Sequence, residues 1–374
     1  MAYLPFTRPT IDEDTLAGVT AVLRSGWIAS GPKVHDFEAA LSTYLGGRSV
    51  RAMTSATEAL EVALRVAGVG PGDEVITPAM SFVATANVIC RVGAKPVFVD
   101  VVLGSRNMDL DRIETAITSR TKALMPVHFA GRPLDMDRLY ALAADRRLRV
   151  IEDAAHAIGS LWRGRRIGSF GDLAVFSFHP NKNITTIEGG ALVGAAGDEL
   201  VDVERHRFHG LTKSANGEQE VHCPGGKSNL SDVAARVGLG QLPHLDAWNA
   251  RRRVLVERYF EMLRPEPALL LPEPGDEGHS WHVFTPLLPL HQLDLTRAQF
   301  IREMEAREIG VGVHYPAIHL FHHYRGLGYR DGDFENAERI GRETVTLPLF
   351  PAMSDGDVVR VCDEIGRVFA AHRR

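Results

Sequence analysis

Between residues 50 and 195 the chain alternates short, β-branched apolar runs with longer stretches whose apolar side chains recur every three or four positions. The short runs predict strands at 49–53, 74–77, 96–99, 123–127, 149–151 and 173–177. The periodic stretches predict helices at 58–66, 83–92, 110–117 and 136–144. Strands that are apolar on both faces and separated by helices imply a mostly parallel sheet between helical layers, an α/β fold. After Gly190 the pattern changes. A long helical stretch is expected over 230–263, broken or kinked at Pro243. Beyond it, short strands at 282–286 and 310–315 mix with helices at 297–307 and 355–371. The expected division is a large domain over 1–245, including the N-terminal segment, and a smaller α+β domain over 246–374.

Composition narrows the function classes. Of 374 residues, 45% are hydrophobic and 24% charged, ordinary values for a globular chain. The formal charge of -5 is mild and evenly spread, which argues against nucleic acid or an anionic membrane as the main partner. Three widely spaced cysteines, Cys90, Cys223 and Cys362, provide neither a disulfide framework nor a Cys-x-x-Cys site. The longest uncharged run, over 75–90, contains Pro78 and falls short of the ~20 apolar residues a spanning helix needs. The first residues carry two prolines and several acids, unlike a secretory signal. A reducing cytoplasm is the expected compartment.

In open α/β sheets ligands bind beyond the carboxyl ends of strands, so the polar residues there are the candidates. After the first strand, Ser55 and Glu58 have the spacing of a capping box, and the same helix start, with Thr57, can cradle an anion. After residue 151 come Glu152, Asp153, two alanines and His156; the acid is either a cap or a carboxylate aimed into the crevice. After 173–177 comes Lys182, in a stretch with no other formally charged residue from Leu173 until Glu188. A lysine that loses solvent loses proton affinity and becomes a nucleophile toward carbonyls. An anion site, a carboxylate and an amine are together what pyridoxal 5'-phosphate (PLP) requires: one each for its phosphate, its pyridine nitrogen and its aldehyde.

The chain resembles the nucleotide-sugar aminotransferases, PLP enzymes of the aspartate-aminotransferase fold, fold type I. The resemblance runs from Leu4-Pro5-Phe6 to Leu347-Pro348-Leu349-Phe350-Pro351. It is carried by Ser25-Gly26-Trp27-Ile28 with Ser30-Gly31-Pro32, by Ser55-Ala56-Thr57, by Gly72-Asp73-Glu74-Val75-Ile76-Thr77-Pro78 and by Glu152-Asp153-Ala154-Ala155-His156. The most specific segments are Phe176-Ser177-Phe178-His179, Lys182-Asn183-Ile184-Thr185 and Glu188-Gly189-Gly190. Within the family it is most similar to the branch that aminates the 4-keto pentose of a UDP-linked sugar for lipid A modification, through residues 127–133, 208–211 and Lys227 with 229–232. It departs from that branch in having Gly226 and Ser228 where aromatics are usual.

The resemblance implies a role for each matching position. Lys182 would bond the PLP aldehyde and shuttle the proton. Asp153 would pair with the pyridine nitrogen, His156 would lie near the ring hydroxyl, and Phe82 would stack on the ring. Ala56, Thr57 and Ser177 would hold the phosphate, joined by Lys227 from the second subunit of a homodimer. Trp27, Ser30, His314 and Tyr315 would face the substrate. Glutamate would donate the amino group and leave as 2-oxoglutarate, and a nucleotide keto-sugar would accept it. Lys33, Arg205, Arg207 and Arg325 are the basic candidates for its diphosphate. No metal site is expected: His314, His319, His322 and His323 lack the spaced pair with an intervening glutamate that marks a zinc hydrolase. The glycine fingerprint of a dinucleotide oxidoreductase is absent as well, because Gly68, Gly70 and Gly72 follow a helix.

Overall fold

The computed structural model describes residues 2–213, 216–264 and 269–374. Its strands, in chain order, are β1 (Val50–Met53), β2 (Glu74–Pro78), β3 (Lys95–Val99), β4 (Thr121–Leu124), β5 (Arg149–Asp153), the two-residue strands β6 (Leu161–Trp162) and β7 (Arg165–Arg166), β8 (Leu173–Ser177), β9 (Gly190–Val193), β10 (Leu211–Lys213) and β11 (Gln219–Val221). Seven of them form one sheet in the order β1-β9-β8-β5-β4-β2-β3, while β6 pairs with β7 and β10 with β11 as separate hairpins. Only β9 runs against the direction of the other six strands of the large sheet. Every residue of β2, β8 and β9 is buried, as expected of strands covered on both faces. This is the mostly parallel, helix-covered sheet of fold type I.

One covering layer holds Phe37, Leu41, Phe176 and Phe178, the other Leu60, Leu64, Val88 and Ile89. A further core joins Tyr259, Phe284, Phe300 and Phe369 to Leu4, which also bridges Ile309. Among the described residues no helix is long and apolar enough to cross a membrane.

Several elements differ from the sequence expectation. Strand β4 stops at Leu124, and Val127 makes only one bridge, to Asp153. Pro126 between them has no N–H to continue a ladder. The segments expected as strands at 282–286 and 310–315 make isolated bridges, Phe284 to Leu347 and Gly312 to Thr346. Pro286 and Pro348 remove donors there as well. The helical stretch expected over 230–263 is two helices, Asp232–Gln241 and Leu245–Leu263, joined by a tight turn, Leu242–His244, that contains Pro243. The helix expected at 110–117 reduces to a short 3-10 turn followed by Ile113–Ala116. Two N-terminal helices, Glu13–Ser25 and Pro32–Tyr44, were not apparent from the pattern. The second starts without a cap from its own sequence. Buried Asp232, 201 residues away, accepts from the N–H groups of Gly31 (2.7 Å) and Val34 (3.0 Å) instead.

Candidate active site

The register of three strands assembles the site. Gly190, which opens β9, pairs with Met53 at the end of β1 and with Ser177 at the end of β8. Asp153 ends β5 opposite Val175. The segments that follow β1, β5 and β8 therefore emerge along one edge, around a cavity of about 350 Å³. Ala56, Thr57, Phe82, Asp153, His156, Ser177, Lys182, His314 and Tyr315 all line it.

The anion end is the start of helix Ala56–Val66. Ser55 accepts from the Glu58 N–H at 3.1 Å, so the cap is real. The box is not reciprocal: Glu58 turns away to Arg91 (3.0 Å) and Ser228 (3.0 Å). Cap and cradle thus coexist, with Ala56 and Thr57 facing the cavity. A glycine is required opposite them, because a Cβ on Gly190 would stand 2.4 Å from the Ala56 nitrogen.

Successive side chains of a strand face opposite ways, and β5 sorts its two acids accordingly. Glu152 points into the protein, where it meets His128 at 2.9 Å and accepts from the Tyr140 hydroxyl at 2.6 Å. Asp153 faces the cavity, 5% exposed. Burial raises its proton affinity; a hydrogen bond from Thr85 Oγ1 (2.7 Å), another from the Ala155 N–H (3.2 Å) and the Lys182 charge oppose that. Lys182 is pushed down to about 8 by burial, with the Asp153 charge pulling the other way.

His156 accepts at Nδ1 from the Ala130 N–H, 3.2 Å away. Burial, with the Lys182 and His314 charges, holds its proton affinity far below the ordinary imidazole range, so the ring is neutral. Its one proton then sits on Nε2 and is donated to Tyr315 Oη at 3.1 Å. The Tyr315 hydroxyl keeps its own hydrogen for a ligand. His314 is lowered to about 3 by burial and the Lys182 charge, and its Nδ1 lies 2.7 Å from Thr346 Oγ1.

The other candidates lie outside this cavity. Trp27 is 61% exposed. Ser30 donates to the Leu230 carbonyl and meets Asn229, which in turn meets Lys227 Nζ. These residues make a separate surface cluster, with Lys227 also 4.8 Å from the Phe208 ring centre. Lys33 pairs with Asp36, Arg205 with Asp202, Arg207 with Glu38 and Glu204, and Arg325 with Asp331, and none of the four lines the cavity. The candidate histidine cluster is dispersed: His319 is bonded to Glu338, and His314 to Thr346. Among the described residues no group of three or more metal-ligating side chains converges.

Sequence reasoning missed Thr85, Ser81, His179, Asn181 and Glu188, all of which line the cavity. Thr85 sits in the first turn of helix Ala84–Arg91, where a hydroxyl reads as a helix-start residue; only the sheet shows the Asp153 carboxylate behind it.

The donor set fits pyridoxal phosphate. A helix start meets its phosphate, a buried carboxylate of raised proton affinity meets a ring N–H, and a desolvated amine meets an aldehyde. Fold and site define a PLP-dependent enzyme of fold type I. Residues 9–366 match the DegT/DnrJ/EryC1/StrS aminotransferase family, and the chain belongs to that family. It is 40% identical to the spore coat polysaccharide biosynthesis protein SpsC of Bacillus subtilis, over 97% of this chain and 96% of that one. Its fold is similar to that of Spr1654 of Streptococcus pneumoniae, provisionally a sugar aminotransferase, in the PMP form (TM-score 0.93, 34% identity, 98% of this chain and 99% of that one) and in the PLP form (TM-score 0.92, 34% identity, 99% of each). It is also similar to PseC of Helicobacter pylori, an aminotransferase involved in the biosynthesis of pseudoaminic acid (TM-score 0.90, 27% identity, 99% of this chain and 100% of that one). The cofactor is pyridoxal 5'-phosphate.

Proposed function

We propose that the chain moves the amino group of glutamate to C4 of a nucleotide-linked 4-keto sugar, with a UDP-sugar as substrate, for cell-surface polysaccharide or lipid A synthesis in the cytoplasm. The observation that carries this reading is Lys182, an amine lowered to about 8, in one cavity with buried Asp153 and an open helix start. Bound pyridoxal phosphate supplies an aldehyde that carries the amino group and a ring that accepts electrons. The Ala56 and Thr57 end of the helix and Ser177 hold the phosphate. Asp153 accepts from the ring N–H and keeps that nitrogen protonated. Phe82, 57% exposed in the single chain, covers the ring face.

Lys182 Nζ, in its neutral form, takes a proton from the donor's α-carbon and returns it during the same half-reaction. Glutamate leaves as 2-oxoglutarate before the keto sugar enters, a ping-pong order. Neutral His156 donates to Tyr315 rather than carrying charge, and the free Tyr315 hydrogen orients an oxygen in the cavity. His314 and Tyr315 meet the sugar. Trp27, Ser30 and Lys227, gathered on the surface away from their own cavity, serve the neighbouring copy's site in a homodimer. The small domain begins near residue 246, where helix Leu245–Leu263 leaves the sheet.

The test is the visible spectrum of PLP-loaded protein before and after excess glutamate, beside Lys182→Ala, followed by product analysis with UDP-, dTDP- and GDP-linked keto sugars. Bleaching in wild type alone, and a 4-amino UDP-sugar product, are expected. A protein that binds PLP and ignores every amino donor is a non-catalytic PLP binder, and the proposal fails. A 3-amino product, or turnover only with dTDP- or GDP-linked 6-deoxyhexoses, overturns the substrate assignment.

A further inference from the structure

Lys182 belongs to no helix or strand. It lies in the irregular segment between β8 and β9, where its own N–H goes to the His179 carbonyl at 2.8 Å. A reacting amine has to be held to about half an ångström, which loops do poorly without support. The support comes from the next residue. Lys182 faces the cavity, whereas Asn183 points the other way, 4% exposed. Asn183 Nδ2 donates to Asn249 Oδ1 (2.7 Å) and to the Ser280 carbonyl (3.2 Å); its Oδ1 lies 3.1 Å from His282 Nδ1, which donates to it.

Each partner is tied in turn to the segment that carries Asp153 and His156. Asn249 Nδ2 donates to the Ile158 carbonyl at 3.2 Å. Gly159 permits that approach, since a Cβ there would stand 2.5 Å from the same nitrogen. Ser280 Oγ donates to the His156 carbonyl at 3.2 Å. The His282 N–H donates to Ala130, whose own N–H holds His156 Nδ1. The His282 ring packs on the His156 ring, with centres 4.3 Å apart.

We propose that Asn183, gripped by Asn249 and His282, is a positioning residue that fixes Lys182 against Asp153 and His156. The inference rests on the reading of Lys182 as the reactive amine. The amide suits the task because both its hydrogens and its oxygen are used, in a place where water cannot replace a lost partner. Neither the helices nor the sheet ladder links Lys182 to the residues after β5 this directly. The titratable groups that feel the Lys182 charge are Asp153, His156, His282 and His314, and Tyr315, His179 and Glu188 line the same cavity. Loosening the grip lets solvent reach the amine, and its proton affinity returns toward that of an ordinary lysine.

The test uses the full chain freed of bound aldehyde. It is mixed with pyridoxal phosphate across a pH series and reduced with borohydride, and the adduct on Lys182 is quantified by peptide mass spectrometry. Wild type is expected to trap with a midpoint near about 8. Asn183→Ala and Asn249→Ala are expected to trap at least tenfold more slowly, with the midpoint moved up. A general loss of stability would not move that midpoint.

His282→Leu removes the donor and leaves both amides in place, and His282→Asn restores a donor at the same position. This pair decides the question if the alanine variants do not fold: slow trapping in the leucine variant and recovery in the asparagine variant are expected. Folded variants that all trap with the wild-type rate and midpoint overturn the positioning role. Wild type that forms no adduct at Lys182 overturns the reading of the lysine itself, which is a different failure.

Discussion

Replacing Thr85 by valine removes one hydroxyl and almost no volume, and it strikes Asp153, the proposed partner of the ring nitrogen. Thr85 Oγ1 donates to Asp153 Oδ2 at 2.7 Å and lies 2.9 Å from Ser81 Oγ. Asp153 is 5% exposed, so water does not replace the lost donor. A hydrogen bond to a charged group is worth about 1.5–3 kcal/mol. On the proposed pairing of ionised Asp153 with the ring N–H, losing that energy is expected to slow the proposed glutamate half-reaction about ten- to a hundredfold, at 1.36 kcal/mol per decade. The sign follows from linkage: burial already raises the proton affinity of Asp153, Thr85 opposes the rise, and without Thr85 the neutral acid gains. The pH below which the half-reaction fails therefore moves up. The assay is stopped-flow bleaching of the cofactor band by glutamate from pH 5 to 9, with Thr85→Ser as the variant that keeps the donor. A valine variant that retains the wild-type rate and pH profile would refute the assignment of Asp153 as the ring's partner.

Three further outcomes follow from the same geometry. Capture of pyridoxal phosphate by the unliganded chain should rise with pH through about 8 and then level off; at pH 8 Lys182 is half neutral, a fraction about 160-fold that of a lysine at its usual 10.5, as borohydride trapping would read. Gly190→Ala drives a methyl group to within 2.4 Å of the Ala56 nitrogen and should weaken cofactor binding at least tenfold, measured by fluorescence titration. Glu38→Ala removes one of the two carboxylate partners of buried Arg207, 2.5 Å away, leaving Glu204, and it leaves the Ala52 N–H unpaired; urea unfolding should show a loss of about 1–3 kcal/mol, and no measurable loss would count against a structural pair.

The linear pattern was enough for the parallel core. Strands covered on both faces carry short apolar runs, so β2, β3, β5 and β8 stand out from the helices between them without any knowledge of contacts. Asp153, Lys182 and the Ser55–Thr57 helix start were legible too, because polar groups at the carboxyl ends of such strands stand where ligands bind in an open α/β sheet. Strand β9 was hidden: four short residues opening on glycine look like the end of a loop, and only pairing on both sides makes them a strand. The β-like segments of the C-terminal third were over-read, since alternation alone does not say whether a neighbour is present to pair with.

Which acid of Glu152-Asp153 faces the cavity was settled by the pleat and by the ring of His128 behind it, not by residue type. The same holds for Arg207, a phosphate candidate by charge that the fold commits to Glu38. Thr85 and Asn183 belong to this class as well. Their chemistry is ordinary in sequence and acquires a role only through partners brought up by the fold: Asp153, 68 positions away for Thr85, and Asn249 and His282, 66 and 99 positions away for Asn183. Local sequence determined which elements form and which reactive groups stand at their ends. Tertiary structure decided which of those groups lose water and meet one another, because burial and partnership depend on neighbours that no local pattern specifies.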